Sequence, residues 1–175
     1  MKRSALLALS LAAALSGCKT MDEQPSERLG HAVLIGTDGT RVGTARLLSR
    51  GSVVNISVAI TGLPQGRHAV HLHTIGACDA PDFASAGAHL NPGGRQHGFE
   101  NPAGAHLGDL PNVTLNAAGA GTMSATLEGL RAELLPQIFD LDGTAVVVHQ
   151  LADDYATDPS GAAGSRIACG VFMPE

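Results

Sequence analysis

Six histidines and one aspartate restrict this 175-residue chain more than anything else in it: His71, His73, His89, His97, His106, Asp109 and His149. The first two stand in Val70-His71-Leu72-His73. Residues two apart on a strand share a face, so both imidazoles project to one side and Leu72 to the other. His89, His97, His106 and Asp109 follow in a stretch rich in Gly and Pro, and His149 ends the apolar run Ala145-Val146-Val147-Val148. Imidazole and carboxylate are ligands that copper and zinc accept. Seven such groups exceed what one ion needs, so the set reads as two metal sites. The loop with Asn91-Pro92-Gly93-Gly94, Gly98, Asn101-Pro102 and Gly104 has too little apolar content to pack itself. A Zn²⁺ held by three imidazoles and one carboxylate would fold it, and a closed four-ligand set of this kind is structural in character.

Around this set the chain reads as short strands separated by turns. Strands are expected at 31–35, 41–48, 52–60, 67–73, 112–115, 122–127, 144–149 and 166–172. Val54, Ile56, Val58 and Ile60 alternate with small or polar residues, the mark of a half-buried strand, and Thr37-Asp38-Gly39-Thr40 is a hairpin turn. Eight short strands, 22 glycines and 3% aromatic residues indicate an all-β fold, an antiparallel sandwich or flattened barrel. Only 125–135 has a partly helical pattern, which Pro136 is expected to stop. Segments 75–111 and 150–165 lack strand pattern. Structureless loops of that length are uncommon unless functional, and both adjoin the ligand set, so metal is expected to organise them.

The N-terminus reads as a targeting segment. Met1-Lys2-Arg3 is basic, and residues 5–15 are apolar apart from Ser10. That run is shorter than the ~20 residues that cross a bilayer and fits a signal peptide's apolar region. Leu15-Ser16-Gly17-Cys18 resembles the lipobox of bacterial lipoproteins, which implies removal of residues 1–17 and a lipid on Cys18. The alternative is an ordinary secretory peptide with Cys18 incidental. Residues 18–29, polar and containing Pro25, are then a flexible tether, and 30–175 is one domain. Export and attachment to a membrane through Cys18 follow from that resemblance. Lys19 after the cysteine favours the outer membrane, facing the periplasm, in a Gram-negative host.

An odd cysteine count in an exported chain needs an explanation. With Cys18 lipidated, Cys78 and Cys169 remain as a pair in an oxidising compartment, 91 residues apart. Closing that loop stabilises by about 4–5 kcal/mol in the chain-entropy picture. The alternative is two buried thiols. The net charge of −5 argues against nucleic acid as a partner, because that would require a basic face.

Five motifs together resemble the copper,zinc superoxide dismutase family across nearly the whole domain. They are Gly66-Arg67-His68-Ala69-Val70-His71-Leu72-His73, Ser85-Ala86-Gly87-Ala88-His89-Leu90-Asn91-Pro92, His106-Leu107-Gly108-Asp109-Leu110, Val147-Val148-His149 and Gly164-Ser165-Arg166-Ile167-Ala168-Cys169-Gly170. The resemblance implies an eight-stranded Greek-key barrel with long metal-binding and active-site loops. It implies copper on His71, His73, His89 and His149, and zinc on His89, His97, His106 and Asp109, with His89 bridging. Cys78 and Cys169 then match the family's disulfide, Arg166 its active-site arginine, and Asp153 the carboxylate that links a copper histidine to a zinc histidine. The implied activity converts superoxide to oxygen and hydrogen peroxide through Cu(II)/Cu(I) cycling, with His89 taking up and supplying a proton, and it would protect the cell envelope. Relatives occur as monomers and homodimers. The rival reading is a non-catalytic copper- and zinc-binding lipoprotein of the same fold; a purely structural zinc sandwich leaves His71, His73 and His149 unexplained.

The pattern has departures. Segment 150–165 holds no Lys or Arg, where many members carry steering lysines, and it holds Asp154 and Asp158 instead. Screening removes distant charges within about 8–10 Å, so copper and Arg166 are expected to focus the anion locally. The stretch between Cys78 and His89 includes Pro81-Asp82-Phe83, as in bacterial relatives. His31 and His68 are not ligands in this match: His68 takes a structural place and His31 a surface strand position.

Overall fold

The structure, a computed structural model, describes residues 26–175. The expected leader, Cys18 and most of the expected tether lie outside that range. Strands β1 (Glu27–Gly36), β2 (Arg41–Arg50) and β3 (Val53–Ile60) form an antiparallel meander. β1 begins at Glu27, so the last three residues assigned to the tether, Glu27, Arg28 and Leu29, belong to the sheet. Asp38 Oδ1 accepts the Thr40 N–H at 2.9 Å within the β1–β2 turn, and Gly39 there takes φ 81°, which a side chain would resist. Along β3, Val54, Ile56, Val58 and Ile60 are all buried, as their alternation requires.

The expected strand 67–73 is two strands, β4 (Gly66–His68) and β5 (Val70–His73). The chain changes partner at Ala69: β4 pairs β6 (Val113–Leu115), whereas β5 pairs β8 (Ala145–His149). With β7 (Gly121–Thr126), β9 (Arg166–Val171) and the short edge strand β10 (Met173–Pro174), the main sheet runs β5-β8-β9-β1-β2-β3-β7, with β10 on β1. β7 approaches β6 so closely that a Cβ on Gly121 would lie 2.2 Å from the Thr114 carbonyl oxygen. The sheet thus curls almost into a barrel, and the antiparallel all-β expectation holds.

Its interior contains Leu34, Leu47, Ile56, Val58, Leu72, Leu115, Val146 and Val148. A second cluster, Phe83, Ala86, Ala145, Val147 and Cys169 with Cys78 against it, lies on the other face of β8 and β9. β8 is therefore buried on both faces, which is why residues 145–148 are continuously apolar. The disulfide joins Cys78 to Cys169.

The helix differs from expectation. Ala125 and Thr126 pair with Ile56 and Asn55 in β7, and α1 spans Arg131–Ile138. The Glu133 carboxylate accepts the Leu130 N–H at 3.1 Å and starts the helix there. Pro136 sits inside α1 instead of ending it, and Leu134 and Ile138 are buried in the barrel core.

Candidate metal centre

β5 is the foundation of the site. Leu72 faces the barrel core, leaving His71 and His73 on the opposite face. The loop between β5 and β6 lies along this strand: Leu72 N–H donates to Gly108 O at 2.8 Å, and Leu90 N–H donates to Leu72 O at 2.8 Å. These bonds set His89 opposite His73 and Asp109 opposite His71. Gly108 is needed here, since a Cβ would fall 2.3 Å from Leu72 O. His149 arrives from the end of β8 at a register shift, and it pairs with Arg166 on β9.

Two groups of ligands result. In the first, one ring nitrogen from each of His71, His73, His89 and His149 lies within 4.8 Å of the others. Four buried nitrogens in these rings have no hydrogen-bond partner: His71 Nδ1, His73 Nε2, His89 Nε2 and His149 Nε2. The opposite nitrogens are engaged. His73 Nδ1 lies 2.9 Å from Gly87 O, His149 Nδ1 3.3 Å from Gly164 O, and His71 Nε2 2.7 Å from Asp153 Oδ2. Each N–H donated to such an acceptor leaves the other nitrogen as a bare lone pair. Four converging, buried lone pairs without donors fit a copper ion.

The second group forms around Asp109. Its Oδ1 lies 3.0 Å from His89 Nδ1, 2.9 Å from His97 Nδ1 and 3.2 Å from His106 Nδ1, and the last is 3.3 Å from His89 Nδ1. A tetrahedral zinc with bonds of 2.0–2.1 Å needs ligand–ligand edges of ~3.3 Å. The side chains are thus already close to the dimensions of a zinc shell. His71 also approaches this group. Its Nε2 is held by Asp153 and its Nδ1 faces the first group, so His106 completes the second. Asp109 Oδ2 accepts the N–H groups of Gly98 and His106, each at 2.9 Å, which fixes the carboxylate from behind.

Burial governs the ionisation of these rings. It pushes His73 down to about 2, His89 to about 4 and His149 to about 3. His71 is lowered by burial against the opposing pull of Asp153. These imidazoles are therefore neutral near pH 7 and present lone pairs to a cation. His97 behaves oppositely. Burial disfavours its charge, but the carboxylates of Asp109 and Asp153 raise it to about 9. Burial acts to raise both aspartates, yet hydrogen bonds from the facing histidines hold them well below the usual carboxylate range.

The two groups share a connector. Asp153 places Oδ2 on His71 and Oδ1 on His97 Nε2 at 3.0 Å. Arg166 is half-buried, and its guanidinium donates to Phe83 O and Gly87 O, both at 2.6 Å. Gly87 O also faces His73 Nδ1, so the cation stands one carbonyl from the first group. The disulfide fastens the 74–88 loop, which carries both carbonyls, to β9.

All seven residues of the opening set therefore converge, and Asp153 and Arg166 join them. Of the remaining histidines, His68 is buried with its nitrogens 2.9 Å from Pro64 O and 2.9 Å from His149 O, while His31 is a surface residue facing Glu175. Asp154 and Asp158 are absorbed by loop structure: Asp154 accepts the N–H groups of Ala156 and Thr157, and Asp158 accepts that of His97 at 2.7 Å. Asn112, Tyr155 and Gly161 also take part, and the sequence does not single them out: Asn112, three residues after Asp109, reads only as a strand start, and no local pattern marks the other two.

Residues 41–172 match the copper/zinc superoxide dismutase (SODC) family. The chain is similar to superoxide dismutase [Cu-Zn] 2 of Aquifex aeolicus, 42% identical over 81% of this chain and 85% of that one. It is also similar to superoxide dismutase [Cu-Zn] of Caulobacter vibrioides, 39% identical over 81% and 83% respectively. Among solved structures, it resembles a SOD-like protein from Bacillus subtilis with a TM-score of 0.77 and 36% identity, over 84% of this chain and 100% of that one.

Proposed function

Because this chain belongs to the copper/zinc superoxide dismutase family, we propose that it dismutates superoxide with copper on His71, His73, His89 and His149 and zinc on His89, His97, His106 and Asp109. The observation that carries the assignment is His89. Its Nε2 belongs to the partnerless first group and its Nδ1 lies 3.0 Å from Asp109 Oδ1 in the second, so one ring faces both. When bound, copper supplies the one-electron couple that accepts an electron from one superoxide and returns it to another, while zinc supplies a fixed positive charge.

The chain's own groups do the rest. Two superoxide ions and two protons give one oxygen and one hydrogen peroxide. The Arg166 guanidinium, held in place by Phe83 O and Gly87 O, attracts the anion beside His73. His89 Nε2, which has no hydrogen-bond partner in the protein, is the atom that would take up a proton when it is not engaged by the metal and would then hand it on. Asp153 keeps the rings of His71 and His97 oriented, as carboxylates behind metal-bound histidines do. The test is metal content and superoxide turnover on one sample. Two ions per chain with turnover is expected; two ions without turnover supports the non-catalytic reading.

The proposal extends to location. The apolar run and Leu15-Ser16-Gly17-Cys18 support export and lipid attachment at Cys18, so that the enzyme protects the envelope from extracytoplasmic superoxide. Labelling with a palmitate analogue is expected to mark the wild type and not C18A; label retained in C18A refutes the anchor.

A further inference from the structure

We propose that Tyr155 is a positioning residue for the zinc half of the site, a latch by which the 150–165 loop fixes Asp153. This rests on the zinc assignment above. The Tyr155 side-chain oxygen accepts the Asn112 N–H at 2.8 Å. The Asn112 side chain then holds the Asp153 backbone from both ends: Oδ1 accepts its N–H at 2.8 Å and Nδ2 donates to its carbonyl at 2.9 Å. Tyr155 also donates its own N–H to Asp153 Oδ1 at 2.7 Å, the oxygen that faces His97 Nε2. Asp153 is thus held through its backbone by Asn112 and through its carboxylate by Tyr155.

The same residue ties its loop to the zinc ligands from the other side. Tyr155 O accepts the Glu100 N–H at 2.9 Å, and its ring lies 5.6 Å from that of Phe99, which is 54% exposed. The backbone of Gly98, next to His97, is pressed against that carbonyl, leaving 2.0 Å for any Cβ. Tyr155 has φ 62°, a left-handed conformation that L side chains adopt rarely and only when surroundings impose it. Three elements meet at one phenol: the segment leading to β6, the His97 loop and the Asp153 loop. The Tyr155–Asn112 pair thus helps set the backbone position from which Asp153 reaches His97.

The chain has one Tyr and no Trp, so ultraviolet emission reports on Tyr155 alone. In the wild type, zinc alone is expected to shelter Tyr155 from acrylamide quenching. Y155F keeps the ring against Phe99 and removes only the acceptor. It is expected to bind zinc ten- to a hundredfold more weakly in chelator competition, the range for groups that orient metal-bound histidines, with the metal-free protein melting as the wild type does. N112A is expected to do the same. Y155F/N112A is expected to be no more than about threefold weaker than the weaker single variant, because both act in series on Asp153. Y155F binding zinc as tightly as the wild type overturns the proposal, as does a double variant whose loss is the product of the single losses. A fall in metal-free melting temperature that accounts for the whole zinc effect also overturns it. A wild type that binds no zinc overturns the zinc assignment itself and this inference with it.

Discussion

His89 divides its two nitrogens between two groups, and Asp109 and Asp153 each divide two oxygens among several donors. Sites built this way tolerate little displacement, because moving one atom disturbs both groups. Gly161 shows how tight the packing is. It has φ 64°, and a Cβ there would lie 1.9 Å from Asp153 Oδ1 and 2.7 Å from His97 Nε2. G161A must therefore push the carboxylate off His97 or move the loop. The left-handed backbone adds a cost of about 1–2 kcal/mol. Zinc affinity in G161A is expected to fall ten- to a hundredfold by chelator competition. Undiminished affinity would mean that Asp153 does not orient His97 in the folded protein.

Strands β5 and β8 were legible because their information is local. A period of two places His71 and His73 together, and the apolar run marks β8 as buried on both faces. The proposed ligands were legible by residue type, as imidazoles concentrated in a Gly-rich loop and on one face of β5. What stayed hidden depends on pairing across long separations. The break at Ala69 exists because β4 and β5 pair with different strands, and no residue in 67–73 announces it. Ala125 and Thr126 have helix-compatible neighbours, yet pairing with β3 decided their conformation. Likewise, Asn112 and Tyr155 are ordinary residues until the 150–165 loop folds back onto Asn112 and His97. Gly87 carries a third kind of hidden information. It matters through a carbonyl, serving His73 and Arg166 at once, and a sequence does not reveal where carbonyls point.

Among the described residues, the histidines proposed as metal ligands dominate the response to pH, and the metal-free protein is where that response is read. In the metal-free chain, His73, His89 and His149 stay neutral down to about 2, 4 and 3, whereas ordinary histidines protonate at 6.5. Between pH 6.5 and about 4 the unfolded chain binds protons at these three rings, and at His71, whose value burial also lowers, that the folded chain refuses, so stability falls as pH falls. Asp109 and Asp153 act in the same direction at lower pH: their contribution is present above 3.8 and lost as they protonate. His97 has the opposite sign. Its folded value of about 9 contributes stability that is complete below 6.5 and disappears as pH rises through 9. The metal-free protein is therefore expected to be most stable near pH 6.5, with losses on both sides. Bound metal competes with protons for the same lone pairs and exists only in the folded site, so the loaded protein is expected to hold its stability further into acid. Urea unfolding from pH 5 to 9, with and without both ions, checks this. A metal-free curve that is flat between 5 and 6.5 would mean that these rings protonate without unfolding the barrel, and that burial does not keep the lone pairs ready for metal.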